Sequence, residues 1–401
     1  MPQSIKLSRF WLVLTIAQLS MIGPFTVDTY LPAFPAIESD FGVSRALLNQ
    51  SLGFYLAAYA ISTLVWGPIT DRFGRRPIII LGMVLYAVSS LGCAFSSSYA
   101  EFLGYRVMQG IVASGGLVAG RAIVRDLFDS RDAQKVMSQV IMLFAIAPAI
   151  APIVGGWLHD HWGWRSIFYF LAIYGLLSML AFVFFIPESH PRENRQSLHP
   201  SNIARVYLST FKHAHFQAII FAIGTAFAGL FLYIAGAPTV IFNFLGLGAD
   251  DFGWQFIPMV VGIVIGSYTS SRLAHRLSRE KVVSLSLSVL VLSVTLNLLM
   301  ALWLPVSIFT VIFPLLLYAL GIGLFLPAMT VLALDCFPQN RGTASALQGF
   351  IQMIFNAAIA SIILPLLGLY LHGFVFTQLI FVVLTLGLWL FIRKGKTISE
   401  A

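Results

Sequence analysis

Two ionisable side chains stand inside long apolar runs, Asp28 in "MIGPFTVDTYLPAFP" and Arg106 in "EFLGYRVMQGIVASGG". A charge inside a bilayer costs roughly 2.5 to 3.5 kcal/mol on insertion scales, so such residues mark function. Asp28 comes late in an outward-going segment and Arg106 early in an inward-going one. At about 1.5 Å per helical residue, each lies roughly 9 to 12 Å below the outer side of the membrane. The shared depth brings a direct or water-bridged contact within reach. A neighbouring guanidinium favours an ionised carboxylate, whereas an apolar cavity favours the neutral acid. That opposition lets one site exchange a proton for a cargo, with Asp28 as the carrier and Arg106 as its electrostatic partner; a static buried ion pair is the competing reading. Pro24, preceded by Gly23, is expected to kink this first segment and free a carbonyl.

The second concentration of charge is "GPITDRFGRRPIII", where Asp71, Arg72, Arg75 and Arg76 fall within six positions of a very short turn between two apolar segments. Gly67 and Gly74 let two helices and a tight loop approach closely. Asp71, at the end of the second helix, could face the N-terminus of the eleventh near Gly342 and Thr343, where a helix dipole attracts an anion by roughly 0.3 to 1 kcal/mol. Arg121 or Arg125, at the cytoplasmic end of the fourth helix, could pair with it. Enzyme chemistry finds little support. His159 and His161 flank Asp160 in a short outer loop and read as interfacial residues, Cys93 and Cys336 read as packing residues, and no cluster has metal-ligand spacing. There is no GxxxxGK[ST] loop for ATP, so no cofactor is expected and a proton gradient is left as the energy source.

The elements that must position these residues follow from composition. Of 401 residues 58% are hydrophobic and only 10% charged, against about 25% charged in soluble domains. Apolar stretches of bilayer-spanning length, roughly 20 residues, predict helices near 10–34, 48–69, 76–97, 100–124, 136–157, 165–187, 215–243, 254–273, 281–302, 305–334, 342–368 and 370–392. The fold class is thus all-α and polytopic, with twelve transmembrane helices. Solid apolar runs such as "SVLVLSVTLNLLMALWL" exclude a barrel of alternating strands. Of the 24 Lys and Arg, all but Arg45, Arg106 and Arg165 fall on one side if the N-terminus is inside. By the positive-inside rule both termini are cytoplasmic, and no basic patch is left for nucleic acid. Lys6 and Arg9 before the first apolar run resemble a signal sequence, but no small-residue cleavage site follows, so the run reads as a retained helix.

The longest polar interruption, "PESHPRENRQSLHPSNIARVYLSTFKHAH", divides the spans six and six. The predicted organisation is an N-terminal six-helix bundle over 1–187, a cytoplasmic linker over 188–214 and a C-terminal six-helix bundle over 215–401. A weak internal repeat agrees: "DRFGRR" aligns with "SRLAHR" through Arg72/Arg272 and Arg76/Arg276, and "RDLF" echoes "LDCF". Halves of even span number share one topology, the parallel-repeat arrangement of one class of secondary transporter, with a binding site expected between them.

These motifs carry a resemblance to the major facilitator superfamily. "GPITDRFGRR" is similar to its signature cytoplasmic loop at Gly67, Asp71, Arg72, Gly74, Arg75 and Arg76. "YRVMQG" is similar to its fourth-helix motif through Arg106, Gln109 and Gly110. "APIVGG" resembles the antiporter motif of the fifth helix at Pro152, Gly155 and Gly156, with Ala151 in place of the first glycine; Pro148 precedes it. "TVDTYLPAFPAI" and "GRAIVRDLF" resemble the bicyclomycin and chloramphenicol resistance subfamily of drug exporters. The resemblance implies a major facilitator fold and a cluster at Gly67, Asp71, Arg72, Gly74, Arg75, Arg76, Arg121 and Arg125 that latches the two halves on the cytoplasmic side.

The function expected is proton-coupled efflux of small apolar or amphipathic compounds such as antibiotics, from the inner membrane of a bacterium, by a monomer whose partners are cargo, protons and lipid. Tyr30, Tyr55, Tyr59, Gln109, Met142, Phe227, Phe231, Tyr233, Tyr318, Gln348, Gln352 and Asn356 supply the aromatic, soft and amide groups of an adaptable cavity. Alternatives are export of an endogenous metabolite or siderophore, and proton symport of a nutrient.

Overall fold

The computed structural model describes residues 9–128, 130–190, 200–274, 276–367 and 370–399. Among them twelve helical stretches are long and apolar enough to cross a membrane, and none forms a strand. The protein is an all-α, multi-pass membrane protein.

Proline decides where several helices break. The helix expected over 10–34 is α1 (Arg9–Asp28), followed by a 3₁₀ turn over Leu31–Ala33 and a short helix, α2 (Phe34–Phe41). Pro32 cannot donate the bond that would continue α1 past Asp28. Asp28 is therefore the last residue of its helix. The segment expected over 136–157 is likewise two helices, α6 (Ser130–Phe144) and α7 (Ala147–Trp162); Pro148 lies in the first turn of α7, where a missing N–H is tolerated. Helix α7 runs through His159, Asp160 and His161, so these residues end a helix instead of forming an outer loop.

The remaining elements follow the apolar runs: α3 (Arg45–Phe73), α4 (Arg75–Phe95), α5 (Tyr99–Leu127) and α8 (Arg165–Phe185), then α9 (Pro200–Phe211), α10 (Ala214–Ala235), α11 (Gly253–Leu273), α12 (Arg279–Trp303), α13 (Ile308–Asp335), α14 (Arg341–Ala358), α15 (Leu364–Leu367) and α16 (Leu371–Ser399). The predicted linker thus holds a helix, α9, whose sequence was read as polar connection; residues 191–199 of it lie outside the described residues. Wider π-type turns at Thr239–Phe244 and Ile359–Ile363 follow α10 and α14. Serines cap the starts of α5, α12 and α13, each side chain accepting a backbone N–H three residues on. Gly74 makes the turn from α3 to α4 at φ +96°, a conformation that side chains disfavour.

The chain divides into two compact units, Met1–Val43 with Phe54–Pro200, and Ser44–Gly53 with Ser201–Ala401. In the first, α4 packs along α5 and α8, while α1 lies against α5, α6, α7 and α8. In the second, α13 packs along α11 and α12, and α10 lies against α13, α14 and α16. Most of the apolar residues of α1 and α10, among them Ile16, Leu19 and Ile22, and Ile219, Ile223 and Leu230, are buried.

Candidate functional site

Arg106 is wholly buried and held by three helices. Its Nη1 donates to Gln109 Oε1 at 2.8 Å and to the Thr26 carbonyl of α1 at 3.3 Å. The guanidinium carbon stands 4.3 Å from the ring centroid of Tyr30 and 4.6 Å from that of Tyr55, so two aromatic faces stabilise the cation. Arg106 and Gln109 meet because residues three apart share a helix face. Gln109 Nε2 donates to Ser90 Oγ at 2.8 Å, Ser90 Oγ donates to the Tyr86 carbonyl at 2.8 Å, and the Tyr86 hydroxyl lies 2.6 Å from Thr26 Oγ1. These bonds close a circuit through α1, α4 and α5. Arg106 Nε and Nη2 have no hydrogen-bond partner among the described residues, which leaves donors of a buried cation unsatisfied beside the circuit.

Asp28 is 4% exposed and forms no hydrogen bond or ion pair among the described residues. The direct contact with Arg106 that the shared depth suggested is not formed. Arg106 reaches α1 at Thr26, and two residues along a helix is a rotation of about 200°, so Asp28 leaves α1 on the opposite side. The backbone just past Asp28 meets α7: a Cβ on Gly155 would collide with the Thr29 carbonyl oxygen. Ala151, Pro152, Gly155 and Gly156 of α7 are buried and Pro148 half-buried. The small-residue helix resembling an antiporter motif therefore packs where α1 ends. Gly23, a turn and a half earlier, faces the ring of Tyr59.

The charged turn forms its own network. Arg75, buried despite its charge, pairs with Asp71 at 2.5 Å and with Asp126 of α5 at 3.2 Å, and its Nη1 donates to Thr70 Oγ1 at 2.6 Å. The Glu188 carboxylate accepts from the backbone N–H groups of Arg75 and Arg76 at 3.0 and 3.2 Å, which places an anion at the N-terminus of α4. Arg76 also donates to the Val183 carbonyl, and Arg72 lies over the ring of Phe73. The partner expected for Asp71 is thus Arg75 in place of Arg121 or Arg125, which form no ion pair among the described residues. The reason is proximity in the chain: Asp71 lies at the end of α3 and Arg75 opens α4 across the tight Gly74 turn, whereas Arg121 sits deeper along α5. Gly67 packs near Val118.

The cavity candidates separate by environment. Tyr30, Tyr55 and Gln109 surround Arg106, Tyr59 is buried beside them, and Met142 is exposed. In the second unit Phe227 and Gln352 are half-buried and Phe231 is buried. Tyr318 donates to the Ala226 carbonyl at 2.9 Å and Tyr233 accepts from Asn297 at 2.8 Å, so both hydroxyls are engaged in helix packing. Gln348 donates to Thr330 at 2.9 Å. Gln348 Oε1 and Asn356 Oδ1 have no hydrogen-bond partner among the described residues.

Sequence reading missed the groups that hold the charges: Thr26, Tyr86 and Ser90 around Arg106, Asp126 and Glu188 around Arg75, and the Asn297–Gln378 pair of the second unit, 2.8 Å apart. Asn297 and Gln378 were visible as amides inside apolar runs. The hydroxyl residues were not, because in most helices Ser and Thr bond their own backbone.

The model of the Major Facilitator Superfamily matches residues 15–360. A bicyclomycin resistance protein homolog of Haemophilus influenzae is 33% identical over 365 residues, 89% of each chain. Multidrug resistance protein D of Escherichia coli is 27% identical over 356 residues, 88% of each chain. Among solved structures, a bacterial homolog to the human lysosomal transporter Spinster, inward-facing and unoccupied, superposes with a TM-score of 0.78 at 16% identity, covering 98% of each chain.

Proposed function

The chain belongs to the Major Facilitator Superfamily, and from that premise we propose that it is a proton-coupled exporter of small apolar or amphipathic compounds, antibiotics among them. It is a transporter and not an enzyme. In this reading it works by alternating access as a monomer in a bacterial inner membrane, with both termini in the cytoplasm. Relatives named for bicyclomycin and multidrug resistance support efflux.

The observation that carries the coupling is the state of Asp28. A buried carboxyl without a hydrogen-bond partner is uncommon, and inside a membrane span it is a functional residue by default. Its location at the proline-broken end of α1 puts it where helix geometry, and with it access, can change. In the proposed cycle Asp28 takes a proton when open to the outer side and yields it when open to the cytoplasm, and cargo moves in the opposite sense. Arg106 stays charged throughout and supplies a fixed positive field within the same unit, held in place by Gln109, Tyr30 and Tyr55. The cluster of Asp71, Arg75 and Asp126 serves as the cytoplasmic latch in this cycle.

Accumulation of a panel of apolar antibiotics in cells with and without the gene tests the efflux reading. We expect lower accumulation of several members when the protein is present, abolished by a protonophore. Equal accumulation of every member would overturn it.

A further inference from the structure

Arg121 stands six residues before the end of α5, about 9 Å inside it, within the candidate span Tyr99–Leu127. Helical side chains lean toward the helix N-terminus, so its guanidinium extends toward the middle of the span and away from the cytoplasmic interface. It is exposed and takes part in no ion pair or hydrogen bond among the described residues. Its electrostatic neighbour is the hydroxyl of Tyr59, whose ring lies against Gly23 of α1.

The surroundings of α5 fix which way Arg121 points. Gly116 and Gly120 meet Leu19 and Ile16 of α1, while Gly110 and Gly115 meet Tyr55 and Trp66 of α3. On the helical wheel Arg121 falls about 20° from Gly110, on the face of α5 that meets α3. It therefore points to the side of α3, where Tyr59 is its neighbour. No carboxylate among the described residues pairs with it there. Among the described residues the carboxyl in the interior of a span away from charged neighbours is that of Asp28, and Asp28 lies twelve residues, about 18 Å, along α1 from the level of Ile16. An unpaired guanidinium within a span is costly and marks function.

We propose that Arg121 is a cargo-recognition residue, and that the transporter takes compounds carrying an acidic group, a carboxylate or an ionised sulfonamide, on an apolar body. The planar guanidinium offers two parallel donors to such a group, and Tyr59 adds a hydroxyl and an aromatic edge beside it. This rests on the efflux reading and names its cargo class.

The test is equilibrium binding of naphthoate and of its neutral amide to the purified transporter in lipid nanodiscs. The wild type is expected to prefer the acid by about tenfold, the worth of one charge-assisted hydrogen-bond pair. Arg121→Gln should bring the acid-to-amide ratio to near one, and Arg121→Lys should keep part of it. A wild-type ratio near one, or a ratio unchanged in Arg121→Gln, overturns the proposal. So does an Arg121→Gln protein that keeps the ratio but loses turnover, since that assigns Arg121 to the conformational cycle. Absence of energy-driven export of any compound by the wild type strikes at the efflux reading alone, because the binding comparison needs no transport.

Discussion

Asp28 and Arg106 belong to the same unit but answer to different neighbours, and that separation decides what their variants should do. Arg106 is stabilised by Gln109, the Thr26 carbonyl and two tyrosine rings, so it does not depend on Asp28 for charge compensation. Asp28→Asn should therefore leave the protein folded and able to bind cargo while exchange against a pH gradient stops. Asp28→Glu should keep part of the activity. If Asp28 served only to neutralise Arg106, the double variant Asp28→Asn with Arg106→Gln would recover much of what each single variant loses. No rescue is expected in a transport assay. Gln109→Leu removes the acceptor of Arg106 Nη1 and the donor to Ser90 at once. Thermal unfolding in detergent should show a loss of about 1 to 3 kcal/mol, the cost of leaving buried polar groups unpaired; an unchanged melting temperature would show that the circuit contributes nothing to stability.

At the scale of elements, close backbone approach is what small residues secure. A Cβ at Gly155 collides with the Thr29 carbonyl oxygen, whereas one at Gly104 meets nothing within 4 Å. Gly155→Ala should destabilise by about 1 to 3 kcal/mol and impair transport by pushing α7 off the end of α1. Gly104→Ala should be neutral or slightly stabilising, since alanine favours a helix by roughly 1 kcal/mol over glycine. Melting curves of the two purified variants compare them directly. Asp71→Asn should slow turnover more than it weakens cargo binding, read as kcat against KM in proteoliposomes, because Arg75 loses one of its two carboxylates while the Arg106 circuit is untouched; normal turnover in a correctly inserted protein would contradict the latch. Much of this scale was legible in the sequence. Twelve apolar runs announced the helices and the glycine-flanked run announced a tight charged turn, because hydrophobic length and turn chemistry are local signals, whereas the pairing of Arg75 with Asp71 and Asp126 was not read. The breaks at Pro32 and Pro148 were legible only in part, since a proline at a helix start looks the same in sequence as one inside a helix. The helix Pro200–Phe211 was missed because its polarity reads as linker. Glu188 could not be assigned to Arg75 and Arg76, more than a hundred positions away, because no local rule links a polar run to a distant helix N-terminus.

For the whole molecule, the account requires that proton movement and cargo movement be one process. The unit that contains α1 and α5 holds the ionisable residues of the span interiors, Asp28, Arg106 and Arg121, whereas the second unit packs its interior with uncharged amides and hydroxyls such as Asn297, Gln378, Tyr233 and Thr225. In the proposed cycle the chemistry of coupling is confined to the first unit, and a substitution in the second, such as Asn297→Leu, should alter stability or cargo range without uncoupling transport from the proton gradient. The most direct measurement loads everted membrane vesicles with a pH gradient, reports the gradient with an acridine dye, and adds an exported antibiotic. The account predicts that the antibiotic dissipates the gradient in vesicles carrying the wild type and fails to do so with correctly inserted Asp28→Asn. Dissipation of equal size with Asp28→Asn, or none with a wild type that exports the same antibiotic, would contradict it.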